Sequence, residues 1–296
     1  MSEFRPIATP TRTAQIMKYY DIAMKKSLGQ NFLIEPNILD KMVAAADIDS
    51  DTTVIEIGPG IGALTEFLAL SAKQVLAFEI DARFVSILEN TLAAYDNVKV
   101  IHQDILKVDF QAPEYASLKD LDRLVVVANL PYYITTPIIM HLIDSHLPFD
   151  RLVMMMQKEV AERMTAQVGT KAYNSLTIAI QLQMQARLDF IVPKNVFIPK
   201  PNVDSAVLVL ERLATPRLDL ADLSDFQNFV QAAFVYRRKT LWNNYKNAMS
   251  TNLADLSADQ WEAIFDQAEL DRQRRGESLS LEEFGQLYQA YLAVKG

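Results

Sequence analysis

Three of the chain's eight glycines fall within five residues: Gly58, Gly60 and Gly62, spaced by Pro59 and Ile61. They follow an apolar β-branched run, TVIEI, and precede a helical pattern. Glycine lets a backbone turn tightly and approach a ligand closely. A plain strand-to-helix turn needs one glycine, not three. The loop therefore reads as a nucleotide-cofactor cradle at the carboxyl end of a first strand. Gly58, Gly60 and Ala63 also match G-x-G-x-x-[G/A], and Glu79 lies 21 residues beyond Gly58, where an acid that binds ribose hydroxyls is expected. NAD and S-adenosylmethionine both need such an acid. The later strand ends separate them. Asp104 follows VKVIHQ and can accept a hydrogen bond from an adenine amine, and a fourth strand runs into Asn129-Leu130-Pro131-Tyr132, which has no role in hydride transfer. Glu56, inside the first strand, reads equally well as a helix-capping or water-bridged carboxylate.

The Asn-Leu-Pro-Tyr segment fits one chemistry, methylation of an aromatic amine. The lone pair of an exocyclic adenine nitrogen is delocalised into the ring, so the nitrogen is a weak nucleophile. Two acceptors on its hydrogens localise that pair as the nitrogen becomes tetrahedral. The Asn129 side-chain oxygen and the Leu130 carbonyl could supply them. Pro131 has no N–H and a fixed φ, which stiffens that carbonyl. Tyr132 offers a flat face for a splayed-out base, an interaction worth ~1–3 kcal/mol. The remaining demand is in-line positioning. Alone, the segment also fits a buried strand end with a turn.

The elements that must position these residues alternate. Thr53–Ile57, 75–79, 98–101, Leu124–Asn129 and 151–156 read as buried strands, and 61–70, 82–93 and 137–145 carry helical spacing. Repeated βα units predict a doubly wound, mostly parallel α/β sheet. Residues 190–192 and 205–210 predict an antiparallel hairpin at its edge. A linker covers 214–223, and beyond it only helical signals follow, over 225–244, 258–268 and 281–294, with Ser280 and Glu283 forming a capping box for the last helix. Two domains are expected, 1–213 and a small all-α 214–296.

Composition narrows the function classes. Half the residues are apolar and 22% are charged, an ordinary globular balance. There is no cysteine and there are three irregularly spaced histidines, so neither a disulfide scaffold nor a metal site is expected. The apolar runs fall far short of the ~20 residues of a membrane span. No secretory signal is read at the start, so the expected compartment is the cytoplasm. Net charge is −8, but residues 47–150 hold sixteen acids against six bases, and the flanks are less acidic or weakly basic. A polyanion could dock on those flanks, although composition alone fits an ordinary solvated surface better. A basic face is expected from Lys25, Lys26, Lys158, Arg163, Lys171, Lys194 and Lys200, with Arg237, Arg238 and Lys239 of the helical domain.

From about Lys25 to Leu241 the chain resembles the ribosomal RNA adenine N6-dimethyltransferases. The motifs that carry the likeness are KSLGQNFL (26–33), VIEIGPGIGALT (54–65), FEID (78–81), QDIL (103–106), NLPYYITTP (129–137), QKEVAER (157–163), VFIPKPNVDSA (196–206) and RRKTL (237–241). NLPY, VDSA and Pro137 favour the small-subunit class over the sister class that methylates large-subunit RNA. Tyr133 departs from the asparagine expected there, outside the assigned contacts.

The resemblance implies a Rossmann-like class I methyltransferase domain over 1–213 and an RNA-binding helical domain over 214–296. It implies that Gln30, Asn31 and Leu33 close over S-adenosylmethionine, and that Gly58 and Gly60 lie against its methionine part. Glu79 with Ile80 would hold the ribose, and Asp104 with Ile105 the adenine. Asn129 would sit between cofactor and target amine. Phe197, on a loop after the sixth strand, would sandwich the target base against Tyr132; without the resemblance it reads as a core aromatic. The expected activity is dimethylation of two adjacent adenosines near the 3′ end of small-subunit (16S) ribosomal RNA, by a monomer acting on a pre-ribosomal particle. An RNA-binding assembly checkpoint that keeps the fold is the rival of another class. An NAD oxidoreductase lacks a hydride-transfer His or Lys beside the glycine loop.

Overall fold

The computed structural model describes residues 6–22, 31–130, 134–246, 253 and 256–295. In chain order the elements are α1 (Pro10–Tyr19), β1 (Phe32–Leu33), α2 (Pro36–Ala45), β2 (Thr53–Ile57), α3 (Ala63–Ser71), β3 (Gln74–Glu79), α4 (Ala82–Thr91), β4 (Val98–His102), β5 (Leu124–Asn129), α5 (Thr135–Asp144), β6 (Arg151–Gln157) and α6 (Lys158–Met164). Then come α7 (Ser175–Gln183), β7 (Met184–Val192), β8 (Phe197–Ile198), β9 (Ser205–Arg212), α8 (Leu223–Ala233), α9 (Leu241–Lys246), α10 (Ala258–Gln267) and α11 (Leu281–Lys295).

The chain forms two compact units, Met1–Ala161 with Arg187–Arg212, and Glu162–Ala186 with Leu213–Gly296. The single boundary expected at 213/214 is therefore incomplete. Residues 162–186 cluster with the helical unit, because Ile178 and Leu182 of α7 are buried in the same core as Phe226, Phe229 and Val230 of α8.

In the first unit the seven-stranded sheet runs β4-β3-β2-β5-β6-β9-β7. Pairing from β4 through β6 is parallel, and β9 lies antiparallel to β6. Every residue of β2 is buried, as expected of a parallel strand covered on both faces. The edge hairpin read from the sequence is borne out: β9 pairs antiparallel with β6, and β7 lies beyond it as the outermost strand at that end of the sheet. β7 is longer than read. Its burial alternates along nine residues, the period-2 pattern of a strand with one exposed face. A separate two-stranded sheet pairs Phe32 with Ile198 and Leu33 with Phe197.

Buried Glu66 ties α1 to α3. Its carboxylate accepts hydrogen bonds from the Ile7 N–H at 2.7 Å and the Tyr95 hydroxyl at 3.1 Å, with Arg12 at 3.8 Å. Burial, reinforced by the Glu66 charge, pushes the Tyr95 phenol up to about 12.

The helical unit is organised by aromatic packing around Phe229, Tyr245, Trp261, Tyr288 and Tyr291. The Ser280–Glu283 capping box is formed, with reciprocal bonds of 2.8 and 3.2 Å at the start of α11. The helix expected over 225–244 is broken into α8 and α9. Asn244 takes the Ala233 carbonyl at 2.8 Å, and the chain turns at 234–240.

Candidate active site

Sheet register brings the carboxyl ends of the strands level. Ile57 pairs with Phe78 on one side and Ala128 on the other, so Gly58, Glu79 and Asn129 follow in one row along the sheet edge. Glu79 pairs with His102, which puts Asp104 just beyond the next strand. One cavity opens on this edge. It is lined by Asn31, Leu33, Gly58, Gly60, Glu79, Ile80, Asp104, Ile105, Asn129 and Leu130, all of them sequence-predicted, and by Phe32, Glu56, Phe84, Gln103 and Phe197.

The glycine loop is made by left-handed backbone. Gly60 has φ +58°, and a Cβ there would lie 3.3 Å from the Phe32 ring. A side chain at 60 would thus be strained and crowded by the short strand that closes the cavity. Gly62, at φ +91°, is the N-cap of α3. The loop's N–H groups and the start of α3 form an edge suited to polar ligand atoms.

Glu79 is organised by backbone. Its Oε2 accepts from the Gly60 N–H at 3.2 Å and its Oε1 from the Asp81 N–H at 2.8 Å. Burial raises its pKa above the ordinary carboxylate value, and those N–H groups oppose the shift. Each oxygen keeps a lone pair for a ligand hydroxyl. Asp104 caps a short 3₁₀ turn, with Oδ1 accepting from the Leu106 N–H at 3.1 Å. Asn129 is half-buried, and among the described residues no group hydrogen-bonds its side-chain amide. Leu130 is buried, its N–H donating to the Met155 carbonyl at 3.1 Å.

Glu56, whose place in the sequence also fits a helix-capping or water-bridged carboxylate, stands on the cavity wall. It is 1% exposed, and its Oε2 has no hydrogen-bond partner among the described residues. Burial raises its pKa to about 8, the Thr65 hydroxyl opposing and the Glu79 charge adding to the shift. The signal available was its place one residue before the glycine loop's strand ends. Phe197 needs a correction. It sits on β8 rather than on a loop, is 3% exposed and belongs to the core cluster while touching the cavity. Gln30, Pro131 and Tyr132 of the expected site lie outside the described residues, as do Lys25 and Lys26.

The sequence matches the family model for ribosomal RNA adenine dimethylase over residues 22–286. The chain belongs to the ribosomal RNA adenine dimethylase family. Relatives named ribosomal RNA small subunit methyltransferase A include one from Enterococcus faecalis, 52% identical over 98% of each chain. Another, from Bacillus licheniformis, is 52% identical over 96% of each. A solved dimethyladenosine transferase from Plasmodium falciparum superposes with a TM-score of 0.74 at 30% identity, covering 88% of this chain and 98% of that one. The large-subunit enzyme ErmE, a 23S rRNA methyltransferase, gives 0.65 at 25% identity with the same coverage. The expected family and the class I methyltransferase fold are thus borne out, and the cavity belongs to an rRNA methyltransferase.

The basic residues expected to meet RNA lie on both units. Lys158, Lys194 and Lys200 belong to the first, and Arg163, Lys171, Arg237, Arg238 and Lys239 to the second. Lys194 is partly committed, its ammonium donating to the Asn202 carbonyl at 3.2 Å. Arg237, Arg238 and Lys239 are on the 234–240 turn rather than on a helix face. No group of residues among those described could hold a metal ion, and no described helix is long and apolar enough to cross a membrane.

Proposed function

We propose that this rRNA adenine dimethylase family member transfers methyl groups from S-adenosylmethionine to the exocyclic amines of two adjacent adenosines near the 3′ end of small-subunit ribosomal RNA, two to each. The observation that carries the reading is the row of Gly58, Glu79 and Asn129 along one cavity edge, with the Asn129 amide unpartnered among the described residues.

The wall fits the cofactor. The unpaired Glu56 Oε2 offers a buried acceptor for a donor-bearing or cationic group. Beside Gly58 no atom lies within 4 Å of where a Cβ would stand, so a ligand can approach the backbone. Glu79 would hold the ribose hydroxyls and Asp104 the adenine amine. Leu33 of the short β1–β8 sheet and Asn31 just before it line the cavity and would close over the cofactor. When bound, S-adenosylmethionine supplies an electrophilic methyl on a cationic sulfur.

Asn129 is read as the acceptor that holds one hydrogen of the target amine, and the Leu130 carbonyl as the second. Together they orient the nitrogen lone pair and favour its tetrahedral form. Such interactions strengthen as the reaction proceeds and so act on the barrier. The buried aliphatic wall around Ile105 and Ile138 excludes water.

The deciding experiment is a transfer assay with labelled cofactor and immature small subunits, followed by nucleoside analysis. N6,N6-dimethyladenosine in a 3′-terminal fragment is the expected product. Label confined to another base, or no transfer, would overturn the reading.

A further inference from the structure

The helical unit buries nearly all its aromatic rings, yet Tyr236 is 54% exposed and neighbouring Val235 is 41% exposed. Tyr236 sits on the turn between α8 and α9, and its ring contacts no other aromatic among the described residues. Its backbone is nevertheless fixed. Buried Asn244 accepts from the Tyr236 N–H at 2.9 Å and donates to the Tyr236 carbonyl at 3.3 Å. The same amide donates to the Ala233 carbonyl at 2.8 Å, closing the end of α8. The Lys239 N–H also donates to the Tyr236 carbonyl, at 2.9 Å. The backbone that carries this exposed ring is thus fixed by a buried amide. An unpartnered ring gains nothing in the folded chain from such rigidity, but a ligand binding to it would find the ordering cost already met.

The cations around it divide into two kinds. Arg237, its side chain half exposed, is tied to the neighbouring turn. Its Nη2 donates to the Lys171 carbonyl at 2.5 Å, and its Nε lies 3.9 Å from Glu277. Glu277 in turn accepts the Gly169 N–H on its backbone carbonyl at 2.7 Å. Arg237 therefore joins the 167–173 turn, which carries Lys171, to the 234–240 turn, which carries Tyr236. Arg238, Lys239 and Lys171 are exposed, and their side chains have no partner among the described residues.

We propose that Tyr236 is a stacking platform for an unpaired RNA base, that Arg238, Lys239 and Lys171 contact the flanking phosphates, and that Arg237 is a positioning residue rather than a phosphate contact. One flat exposed ring with three exposed cations on two tied turns matches a nucleotide, which presents a π-face between anionic phosphates. The proposal rests on the RNA-binding part of the function above and deepens it, since the three-residue basic run gives way to a site with separate tasks.

Binding of immature small subunits, measured across a salt series, tests it. Tyr236→Ala is expected to weaken binding about tenfold to a hundredfold, the usual range for one stacked base. The slope of log affinity against log salt should stay at the wild-type value, and Tyr236→Phe should restore binding. Arg238→Ala and Lys239→Ala should each reduce that slope by about 0.7 to 0.9. In a double-mutant cycle, Lys171→Ala should cost less in an Arg237→Ala background than alone, because the lysine is then no longer placed. Wild-type affinity for Tyr236→Ala overturns the platform. Equal damage from Tyr236→Phe and Tyr236→Ala also overturns it, by putting the contact in the hydroxyl. Additivity of Arg237→Ala and Lys171→Ala overturns the positioning role. A wild-type protein that fails to bind the subunits overturns the functional reading itself, a result none of the variant outcomes resembles.

Discussion

The Gly60 N–H donates to Glu79 Oε2 at 3.2 Å, so one carboxylate shapes the glycine loop and faces the ligand cavity at the same time. Loop and acid are 19 residues apart in sequence and adjacent only because β2 and β3 pair in register.

Glu79 substitutions should therefore show two effects. Glu79→Ala removes a charged acceptor worth ~1.5–3 kcal/mol to a ligand hydroxyl, so S-adenosylmethionine should bind at least about tenfold more weakly by calorimetry. It also strands the Gly60 and Asp81 N–H groups, so the melting temperature should fall. Glu79→Gln keeps one acceptor oxygen and should recover part of both losses. Unchanged cofactor affinity in Glu79→Ala would remove the residue from the site.

Asn129→Ala should behave differently. Because nothing in the described structure hydrogen-bonds the side-chain amide, its loss should leave the melting temperature at the wild-type value. Methyl transfer should fall by ~10²–10³, the scale for losing one oriented polar group. Binding of immature subunits should persist. Normal transfer would make the segment structural. At the neighbouring Tyr132, stacking predicts a mild Tyr132→Phe and a severe Tyr132→Ala.

Glu56 sets a pH dependence of stability. Its carboxyl is raised from an ordinary 4.5 to about 8 in the folded protein. Between those values the unfolded chain gives up this proton and the folded chain keeps it. The stability Glu56 contributes is therefore complete below 4.5 and lost as pH climbs to about 8. Glu56→Gln cannot ionise, so its melting temperature relative to wild type should rise steadily from pH 5 to pH 8.5. A constant difference across that range would refute the assignment.

Glu66 anchors the N-terminal segment. Glu66→Ala leaves the buried Ile7 N–H unsatisfied, a cost of ~1–3 kcal/mol. Denaturant unfolding should show that loss, and limited proteolysis should cut within α1 sooner than in wild type. An unaltered cleavage pattern would count against the anchor.

Much of this was legible because it is local. The buried strands, the glycine loop, and the acids and amide at the strand ends are written in short runs of residues. The parts that were not legible depend on distant partners. β1 and β8 are two residues each, and Leu33 lies 164 positions before its partner Phe197, so neither has a periodicity to read. The break after Ala233 comes from Asn244, whose buried amide competes for the carbonyls a continuous helix would have used. Helical spacing continues through such a turn without marking it. Membership of 162–186 in the helical unit depends on which apolar face Ile178 and Leu182 meet, and helix periodicity gives the face but not its partner.

The divided composition of the helical unit has a consequence for synthesis. Residues 162–186 leave the ribosome before β8 and β9, while the helices that cover α7 come later, from 223 onward. Ile178 and Leu182 must wait uncovered while the remaining strands of the sheet are made. The nascent chain thus carries an exposed apolar helix through the middle of its own translation, the kind of transient surface that chaperones engage and that aggregates when they are scarce.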